Sequence, residues 1–223
     1  MPAETNARAE TSNATNVNWL VDSIQMILYS YVVARDYGFA PNPFFGVCTL
    51  ATCKPDIRGH ASIGDWVVGT GGAAYGLTGR LVFAMEVSEI LTFDEYWSDP
   101  RFDRKQPSMN SGLRNAFGDN IYRQVRDDWV QANSHHSLPN GQPNPANIQN
   151  DTRFARVLIG KWFVYWGREG PHIPARFRGK GLKDLCAIRG YKCKFSAEFI
   201  NDLTTWIFSL GQTGYVGRPA EYP

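Results

Sequence analysis

The sequence predicts an α+β fold with a small β-barrel core, flanking helices and one long polar insertion. Strand-like runs of β-branched and aromatic residues, one amphipathic helix near the end of the chain and a long stretch rich in Asn and Pro carry this prediction. The chain has 223 residues, 43% of them hydrophobic, which is enough for one large domain with a sizeable core.

The chain begins with a segment that has almost nothing to bury. Residues 1–16 are rich in Asn, Thr, Ala and Glu and are predicted to be a disordered tail, so the domain is predicted to span residues 17–223. Residues 17–25 fit a short helix. Residues 26–34 (MILYSYVVA) are β-branched and aromatic and predict the first strand, which ends at Arg35-Asp36-Tyr37-Gly38.

A hairpin is predicted between Ser62 and Glu89. Gly64-Asp65 forms a tight turn before a buried strand that starts at Trp66, and a second strand follows the glycine-rich segment Gly69-Thr70-Gly71-Gly72. The glycines allow a close approach of the backbone to another group. The second strand alternates, which places four side chains on one face: Leu81, Phe83, Met85 and Val87.

The elements after the hairpin are predicted from local signals. Thr92 followed by Glu95 is a capping box and predicts a helix over residues 92–97 that ends before Pro100. Residues 156–166 predict two short strands broken at Gly160. Ser196–Leu210 has apolar residues at helical spacing and predicts an amphipathic helix.

Residues 98–152 are polar and rich in Asn and Pro, with strand-like pieces at 120–125 and 129–130. A compact domain rarely carries so long a loop without using it, so we expect a functional insertion or lid. The insertion contains His135 and His136, with Asp119 upstream and Asp151 downstream. His135, His136 and Asp119 are therefore candidate acid–base residues, and a hydrogen-bonded structural loop is the alternative. Spacing alone identifies no Cys-His or Ser-His-Asp order.

The net charge of +2 indicates no particular partner, but the basic residues are unevenly distributed. Eight Lys and Arg residues lie between Arg168 and Lys194. They predict a phosphate-facing patch, with a solvated surface as the alternative. The patch residues we single out are Arg176, Arg178, Lys180 and Lys183.

The four cysteines fit reduced, packed side chains. Their spacings, C-x4-C and C-x6-C, are looser than those of structural zinc sites, so neither a metal nor a cofactor is predicted. The chain shows no signal pattern and no apolar run long enough to span a membrane, so the expected location is the cytoplasm, with no membrane partner.

Candidate ligand-binding residues follow the first strand. Tyr37 and Phe45 offer rings for stacking on a base, although Phe45 also fits a core position. Arg35 fits a phosphate contact and Asp36 fits an acceptor for an exocyclic amine, with a surface ion pair or turn cap as the alternative. Thr70 and Gly71 offer backbone N–H groups to an anion or form a flexible hairpin tip.

Four segments together resemble the nucleotide modification associated domain family, type two: YSYVVARDYGFAPNPF, TLATCKPDIR, GDWVVGTG and TFDEYWSDPRF. The resemblance covers nearly the whole chain after about residue 26. Members of that family occur in phages and bacteria and are associated with DNA base hypermodification. The order of the first strand, apolar loop and Gly-Asp turn is also similar to the PUA-like superfamily, in particular its EVE and YTH branches. These are small barrels that hold a modified base or nucleotide at one end.

The resemblance implies a ligand pocket at the end of the first strand. The matching positions are Arg35, Asp36, Tyr37, Cys48, Thr49, Thr70 and Gly71. It implies recognition of a modified nucleobase or nucleotide, alongside partner enzymes of a base-modification system. An enzyme of modified-nucleotide metabolism that uses the His135-His136 loop is one alternative. A zinc-stapled structural partner of a modification complex is another.

Overall fold

The computed structural model describes residues 26–179 and 184–223. The predicted disordered tail at 1–16 and the predicted helix at 17–25 lie outside these residues. None of the helices within the described ranges is long and apolar enough to cross a membrane.

The described residues form a mixed α+β fold, as predicted. The strands are β1 (Leu28–Val33), β2 (Cys48–Leu50), β3 (Trp66–Gly71), β4 (Leu81–Glu86), β5 (Glu89–Leu91), β6 (Tyr122–Val125), β7 (Asp128–Gln131), β8 (Val157–Gly160), β9 (Phe163–Tyr165), β10 (Tyr191–Lys192) and β11 (Gly214–Tyr215). The helices are α1 (Pro55–His60), α2 (Phe93–Ser98), α3 (Leu113–Ala116), α4 (Pro145–Asp151) and α5 (Ala197–Ser209). Short 3-10 helices lie at Ala73–Tyr75, Pro100–Lys105, Gly167–Glu169 and Ala175–Phe177.

The predicted barrel is corrected to open sheets. A six-stranded sheet has the order β10-β1-β3-β4-β9-β11, a three-stranded sheet has the order β2-β8-β5, and β6 pairs with β7 alone. Among the described residues, no ladder joins the two edges of the six-stranded sheet. Both edge strands have only two residues, so they offer few backbone groups with which to close a ring.

The sheets and helices stack in four layers. One apolar core lies between the two larger sheets, with Tyr31 of β1 and Leu158 of β8 among its members. A second core lies between the other face of the six-stranded sheet and α5. A third core joins the outer face of the three-stranded sheet to α2 and to the 98–152 segment. That segment is therefore packed against the sheet, and it carries α3, α4, β6 and β7.

The predicted hairpin is present as β3 and β4, which pair antiparallel. Phe83, Met85 and Val87 lie in the core between the sheets, as the alternation predicted. Leu81 instead faces the α5 side, because the register shifts between Gly69 and Thr70 and turns the start of β4 over.

The capping box at α2 is confirmed and supports a prediction for stability. The Thr92 Oγ1 accepts the Glu95 N–H at 3.2 Å, and a Glu95 carboxylate oxygen accepts the Thr92 N–H at 2.7 Å. We expect Thr92→Ala to lower the free energy of unfolding by about 1 kcal/mol, measured by urea denaturation. Thr92→Ser keeps the cap and should stay close to wild type. Equal stability of Thr92→Ala and Thr92→Ser would contradict this role.

Candidate functional site

A cavity of about 340 Å³ opens beside the end of β1. Its walls come from β1 and the loop after it, the turn between β2 and α1, and the loop after β7. This volume lies in the usual range for small-molecule sites. We call it the Cys53 cavity; its polar and aromatic lining residues are Tyr31, Arg35, Tyr37, Phe39, Cys53, Lys54, His135 and His136.

Cys53 lies in a strained turn between β2 and α1. Its φ is +55°, and that of Lys54 is +42°, so two successive residues other than glycine adopt left-handed backbone geometry. Pro55 follows at once as the first residue of α1. Residues other than glycine in left-handed backbone geometry raise the free energy of the fold, and they concentrate at functional sites. The turn leaves the Cys53 side chain partly exposed in the cavity wall.

His136 lies between the Cys53 thiol and a buried carboxylate. Its Nε2 is 3.5 Å from Cys53 Sγ, and its Nδ1 is 3.0 Å from Asp151 Oδ2. Its backbone is fixed as well, because the Asn147 amide donates to the His136 carbonyl at 2.8 Å. Each ring nitrogen therefore has its own partner, which defines the orientation of the imidazole.

Asp151 ends α4 and is 1% exposed. Its Oδ1 accepts the Cys53 backbone N–H at 2.9 Å, and its Oδ2 accepts the Tyr122 hydroxyl at 3.0 Å as well as meeting His136. The Gln131 amide in turn donates to the Tyr122 hydroxyl oxygen at 3.2 Å. A network of hydrogen bonds therefore fixes this carboxylate relative to Cys53 and His136.

Arg58 of α1 joins the backbone of Cys53 to the backbone of Asp151. Its guanidinium is fully buried and donates to the Cys53 carbonyl at 2.9 Å and to the Asp151 carbonyl at 2.5 Å. Two further bonds run to the carbonyls of Phe154 and Arg156. Burial lowers the pKa of Arg58 to about 10, so it remains charged at neutral pH.

The two adjacent histidines have opposite electrostatic environments. Burial opposes a charge on His136, but hydrogen bonds to Asp151 and Cys53 outweigh it and raise its pKa to about 9. Burial lowers the pKa of His135, and the charges of His136 and Arg35 lower it further. At neutral pH, His136 is therefore an imidazolium and His135 a neutral ring. Neighbouring groups whose pKa values are shifted in opposite directions are typical of sites that move protons.

The arrangement has the geometry of a nucleophile, a base and an orienting acid. A thiol beside one ring nitrogen, with a buried carboxylate on the other, is the pattern of cysteine-dependent group transfer on several unrelated folds. Cys53, His136 and Asp151 also form the one group of three potential metal ligands within the described ranges. An ion held by Cys53 Sγ and His136 Nε2 would replace the contact between these two residues and leave the contact of Nδ1 with Asp151 in place.

Four of the residues predicted for the site line the Cys53 cavity: Arg35, Tyr37, His135 and His136. The Arg35 guanidinium is exposed, pairs with Glu221 at 2.5 Å and donates to the Tyr37 hydroxyl. His135 contacts the Tyr37 ring, with 4.4 Å between the ring centroids. Phe45 lies elsewhere, in the wall of a second cavity.

The other predicted ligand residues are buried and already hydrogen-bonded or packed. Asp36 accepts the Tyr165 hydroxyl at 2.5 Å and the N–H groups of Gly38 and Ala220, and burial raises its pKa. Cys48 lies in the core between the sheets. Thr70 is also fully buried, and its hydroxyl donates to the Tyr31 carbonyl. Asp36, Cys48 and Thr70 do not line the Cys53 cavity.

Gly71 gives clearance within its own hairpin. A Cβ there would lie 2.4 Å from the Leu77 carbonyl oxygen. The close approach expected from the glycines is therefore to the loop that closes the hairpin. It is a packing requirement of this loop, and Gly71 does not border the Cys53 cavity.

Asp119, the third predicted acid–base residue, lies in a different network. It accepts the Thr49 hydroxyl at 2.7 Å and the Tyr96 hydroxyl at 2.8 Å, and Lys105 Nζ donates to Thr49 Oγ1 at 3.0 Å. Burial raises the pKa of Asp119 and lowers that of Lys105 to about 8. All four side chains are fully buried, so this network joins the insertion to β2 and is separate from His136.

The predicted phosphate patch is described only in part. Arg176 is exposed and lies over the Phe177 ring, 4.7 Å from its centroid. Arg178 pairs with Asp184 at 2.9 Å. Lys180 and Lys183 lie outside the described residues.

The four cysteines do not form a zinc staple. Cys48 is fully buried in the core between the sheets, and Cys186 packs against the core under α5. In the described part of the chain, the one potential metal-binding group contains a single cysteine, Cys53. The alternative of a four-cysteine structural site is therefore wrong.

The sequence reasoning missed Cys53, Asp151 and Arg58 as site residues. The one local signal was the order of a short strand, a Cys-Lys pair and a helix-starting proline, which predicts a tight turn with a side chain at its tip. Asp151 was noted only as a carboxylate near the histidines. Its burial and its partners depend on the packing of α4, which sequence spacing does not reveal.

The comparisons with known proteins are consistent with the resemblance noted in the sequence. The family model described as nucleotide modification associated domain 2 matches residues 25–223. Neither the search of curated proteins nor the search of solved structures finds a match. The match includes all three members of the Cys53–His136–Asp151 group and spans most of the chain. The chain therefore belongs to the nucleotide modification associated domain 2 family.

Proposed function

We propose that this protein is a cysteine-dependent enzyme that binds a modified nucleobase in the Cys53 cavity and transfers an acyl group through Cys53. The observation that carries the proposal is the thiol–imidazole–carboxylate group in the wall of a cavity of suitable size. Membership of a family named for nucleotide modification supports the class of substrate. The protein would work with other enzymes of a base-modification system.

The reaction uses the three residues in distinct roles. The Cys53 thiolate, stabilised by the His136 imidazolium, attacks a carbonyl carbon, so a carbon–sulfur bond forms. The bond to the leaving amine or alcohol then breaks, and His136 Nε2 gives its proton to that group. Water attacks the thioester, His136 takes its proton, and the thiolate departs with the acyl group released as an acid. Asp151 holds the imidazole and balances its charge.

The remaining cavity walls suit a nucleobase. Tyr37 and His135 present aromatic faces, on which stacking a base is worth about 1–3 kcal/mol. Lys54 places its ammonium 4.8 Å from the Tyr31 ring centroid, beside Cys53, where it can stabilise a developing oxyanion. Arg35 lies at the rim and can exchange Glu221 for a phosphate.

The PUA-like relationship is part of the same proposal. The chain passes directly from the six-stranded to the three-stranded sheet between β4 and β5, and back between β8 and β9. Strands that switch sheets in this way form the corners of orthogonal sandwiches and partly open barrels. A pocket at the end of β1 also fits the position that the resemblance implied.

The test uses nucleoside monophosphates that carry an acetyl or glycyl group on the exocyclic amine of cytosine or adenine. We expect deacylation of at least one, with the acyl mass captured on Cys53 by intact-protein mass spectrometry. Cys53→Ser and His136→Gln should lower turnover at least about a thousandfold. Cys193→Ser alters a partly buried cysteine outside the group and should retain full turnover.

Two results would contradict the enzyme. Turnover that survives Cys53→Ser excludes the thiol as nucleophile. Failure to turn over or capture any panel member, while iodoacetamide still modifies Cys53 faster than Cys193, excludes acyl transfer to this class. Metal analysis of the purified protein adds a check, since stoichiometric zinc lost in Asp151→Asn would favour a metal site in place of the triad.

Recognition without turnover is the second candidate function. The rings of Tyr37, Phe117 and His135 favour it, because they form a stacking surface that needs no reaction. Binding of a modified nucleotide that is equally tight in the wild type and in Cys53→Ser, with no product formed by either, would favour this reading over the enzyme.

A further inference from the structure

A second and larger cavity lies close to the Cys53 cavity. Its volume is about 680 Å³, and three exposed arginines line it: Arg104, Arg114 and Arg218. We call it the arginine cavity. Its aromatic lining residues are Phe45, Tyr215 and Tyr222.

Two of the three arginines of this cavity lie over aromatic faces. Arg104 lies over the Phe45 ring at 4.2 Å from its centroid, and Arg114 lies over the Tyr215 ring at 4.7 Å. Stacking orients a guanidinium and leaves its N–H edge available for a bidentate acceptor such as phosphate.

In the part of the chain that the structure describes, these arginines also form no ion pair. Arg35, Arg101, Arg153 and Arg178 each pair with a carboxylate. Within the described residues, no side-chain carboxylate lies within ion-pair distance of the three arginines of the cavity. The Tyr222 hydroxyl is buried there without a hydrogen-bond partner in the described ranges. The cavity therefore combines three arginines that form no ion pair in the described ranges with a tyrosine hydroxyl that has no hydrogen-bond partner there.

One aromatic ring joins the two cavities. Phe117 stacks on Tyr37 of the Cys53 cavity, with 4.9 Å between centroids, and it lies 6.0 Å from Tyr222 of the arginine cavity. Phe117 is partly exposed. Ring contacts therefore run from Tyr37 of the Cys53 cavity through Phe117 to Tyr222 of the arginine cavity.

We propose that the arginine cavity binds the phosphodiester backbone of a single-stranded nucleic acid whose reacting base lies in the Cys53 cavity. The assignment of the reacting base rests on the proposed function. Aromatic faces alternating with cations are typical of grooves that bind single strands. A base must leave its stack to enter a cavity bounded by β1 and two loops, which favours an unpaired strand over a duplex.

The test is fluorescence anisotropy with a fluorescein-labelled twelve-residue oligothymidylate. The protein variant is Cys53→Ser, so that binding is measured without turnover. Adding Arg104→Ala and Arg114→Ala should weaken binding at least about tenfold. A plot of log affinity against log salt concentration has a negative slope. Its magnitude should decrease by about 1.4, because two phosphate contacts are lost. Phe117→Ala should weaken binding without changing that slope.

The controls separate this cavity from other arginines. Arg153→Ala removes an exposed, ion-paired arginine and should leave affinity within about twofold. Arg176→Ala removes an arginine stacked on Phe177 and represents the rival patch. Loss of binding in Arg176→Ala, with none in the Arg104 and Arg114 double variant, would overturn the proposal.

Competitors identify the source of the phosphate. Thymidine monophosphate that displaces the oligonucleotide at comparable concentration would show that a free nucleotide is the ligand and would overturn the proposal, as would equal or tighter binding of a duplex. Iodoacetamide modification of a protein that carries Arg104→Ala and Arg114→Ala but retains Cys53 keeps the two hypotheses distinguishable. If Cys53 reacts at the normal rate and the two arginine substitutions leave strand binding unchanged, only the proposed strand site is rejected.

Discussion

Arg58→Ala should lower the free energy of unfolding by at least about 4 kcal/mol. The substitution removes a fully buried guanidinium and leaves the carbonyls of Cys53, Asp151 and Arg156 without its hydrogen bonds. The Phe154 carbonyl loses one donor and keeps the Arg156 N–H. Each buried polar group without a partner costs about 1–3 kcal/mol, although such costs are not additive. Since domains are stable by only about 5–15 kcal/mol, urea denaturation should show a large shift or no folded protein.

Arg58→Lys separates the role in the site from the role in stability. Lysine keeps the charge but cannot reproduce four bonds in the planar geometry of a guanidinium. We expect a folded protein in which iodoacetamide modifies Cys53 at least about tenfold more slowly, because the turn and α4 are no longer held together. Arg153→Ala is the matched control, as its exposed pair with Asp56 is worth about 0–1 kcal/mol. A free energy of unfolding of Arg58→Ala within about 1 kcal/mol of the wild-type value would contradict the proposed role of Arg58 in holding the turn and α4 together.

Local signals predicted the secondary structure well. The α2 helix follows from Thr92 and Glu95, because a capping box is formed within four residues. The α5 helix follows from apolar spacing, and Ser196, the first residue of the predicted range, is its N-cap. The sheet architecture was not predicted, because it depends on distant pairings. β1 pairs in parallel with β3 across an intervening strand and helix, and the two-residue edges β10 and β11 carry no sequence signal.

The candidate site was predicted in part for the same reason. The adjacent histidines drew attention to the correct loop, but the thiol that meets His136 lies 83 residues earlier in the chain. Asp119 and Asp151 lie on either side of the histidine pair, and spacing does not distinguish them. Folding pairs Asp151 with His136 and buries Asp119 beside Thr49 and Tyr96. The choice between the two carboxylates is made by tertiary packing.

The pH dependence of stability that His136 contributes is the second large effect we expect. Its pKa is about 9 in the folded protein and 6.5 when unperturbed, so the folded state holds this proton more tightly. The contribution is therefore fully present below pH 6.5 and is lost as the pH rises through 9. It is worth at most about 3 kcal/mol. Asp151 and Cys53 are the groups that face the ring and produce the shift.

Comparison with His136→Gln isolates this contribution from other titrations. Burial lowers the pKa of Lys105 from 10.5 to about 8, which makes stability rise with pH between those values in both proteins, so it cancels in the difference. Urea denaturation from pH 6 to pH 10 should give wild type its largest advantage in free energy of unfolding over His136→Gln at pH 6. This advantage should shrink above pH 6.5. An advantage that stays constant across this range would mean that the folded protein binds this proton no more tightly than the unfolded chain, and the ion-paired form of the Cys53–His136–Asp151 group would then be wrong.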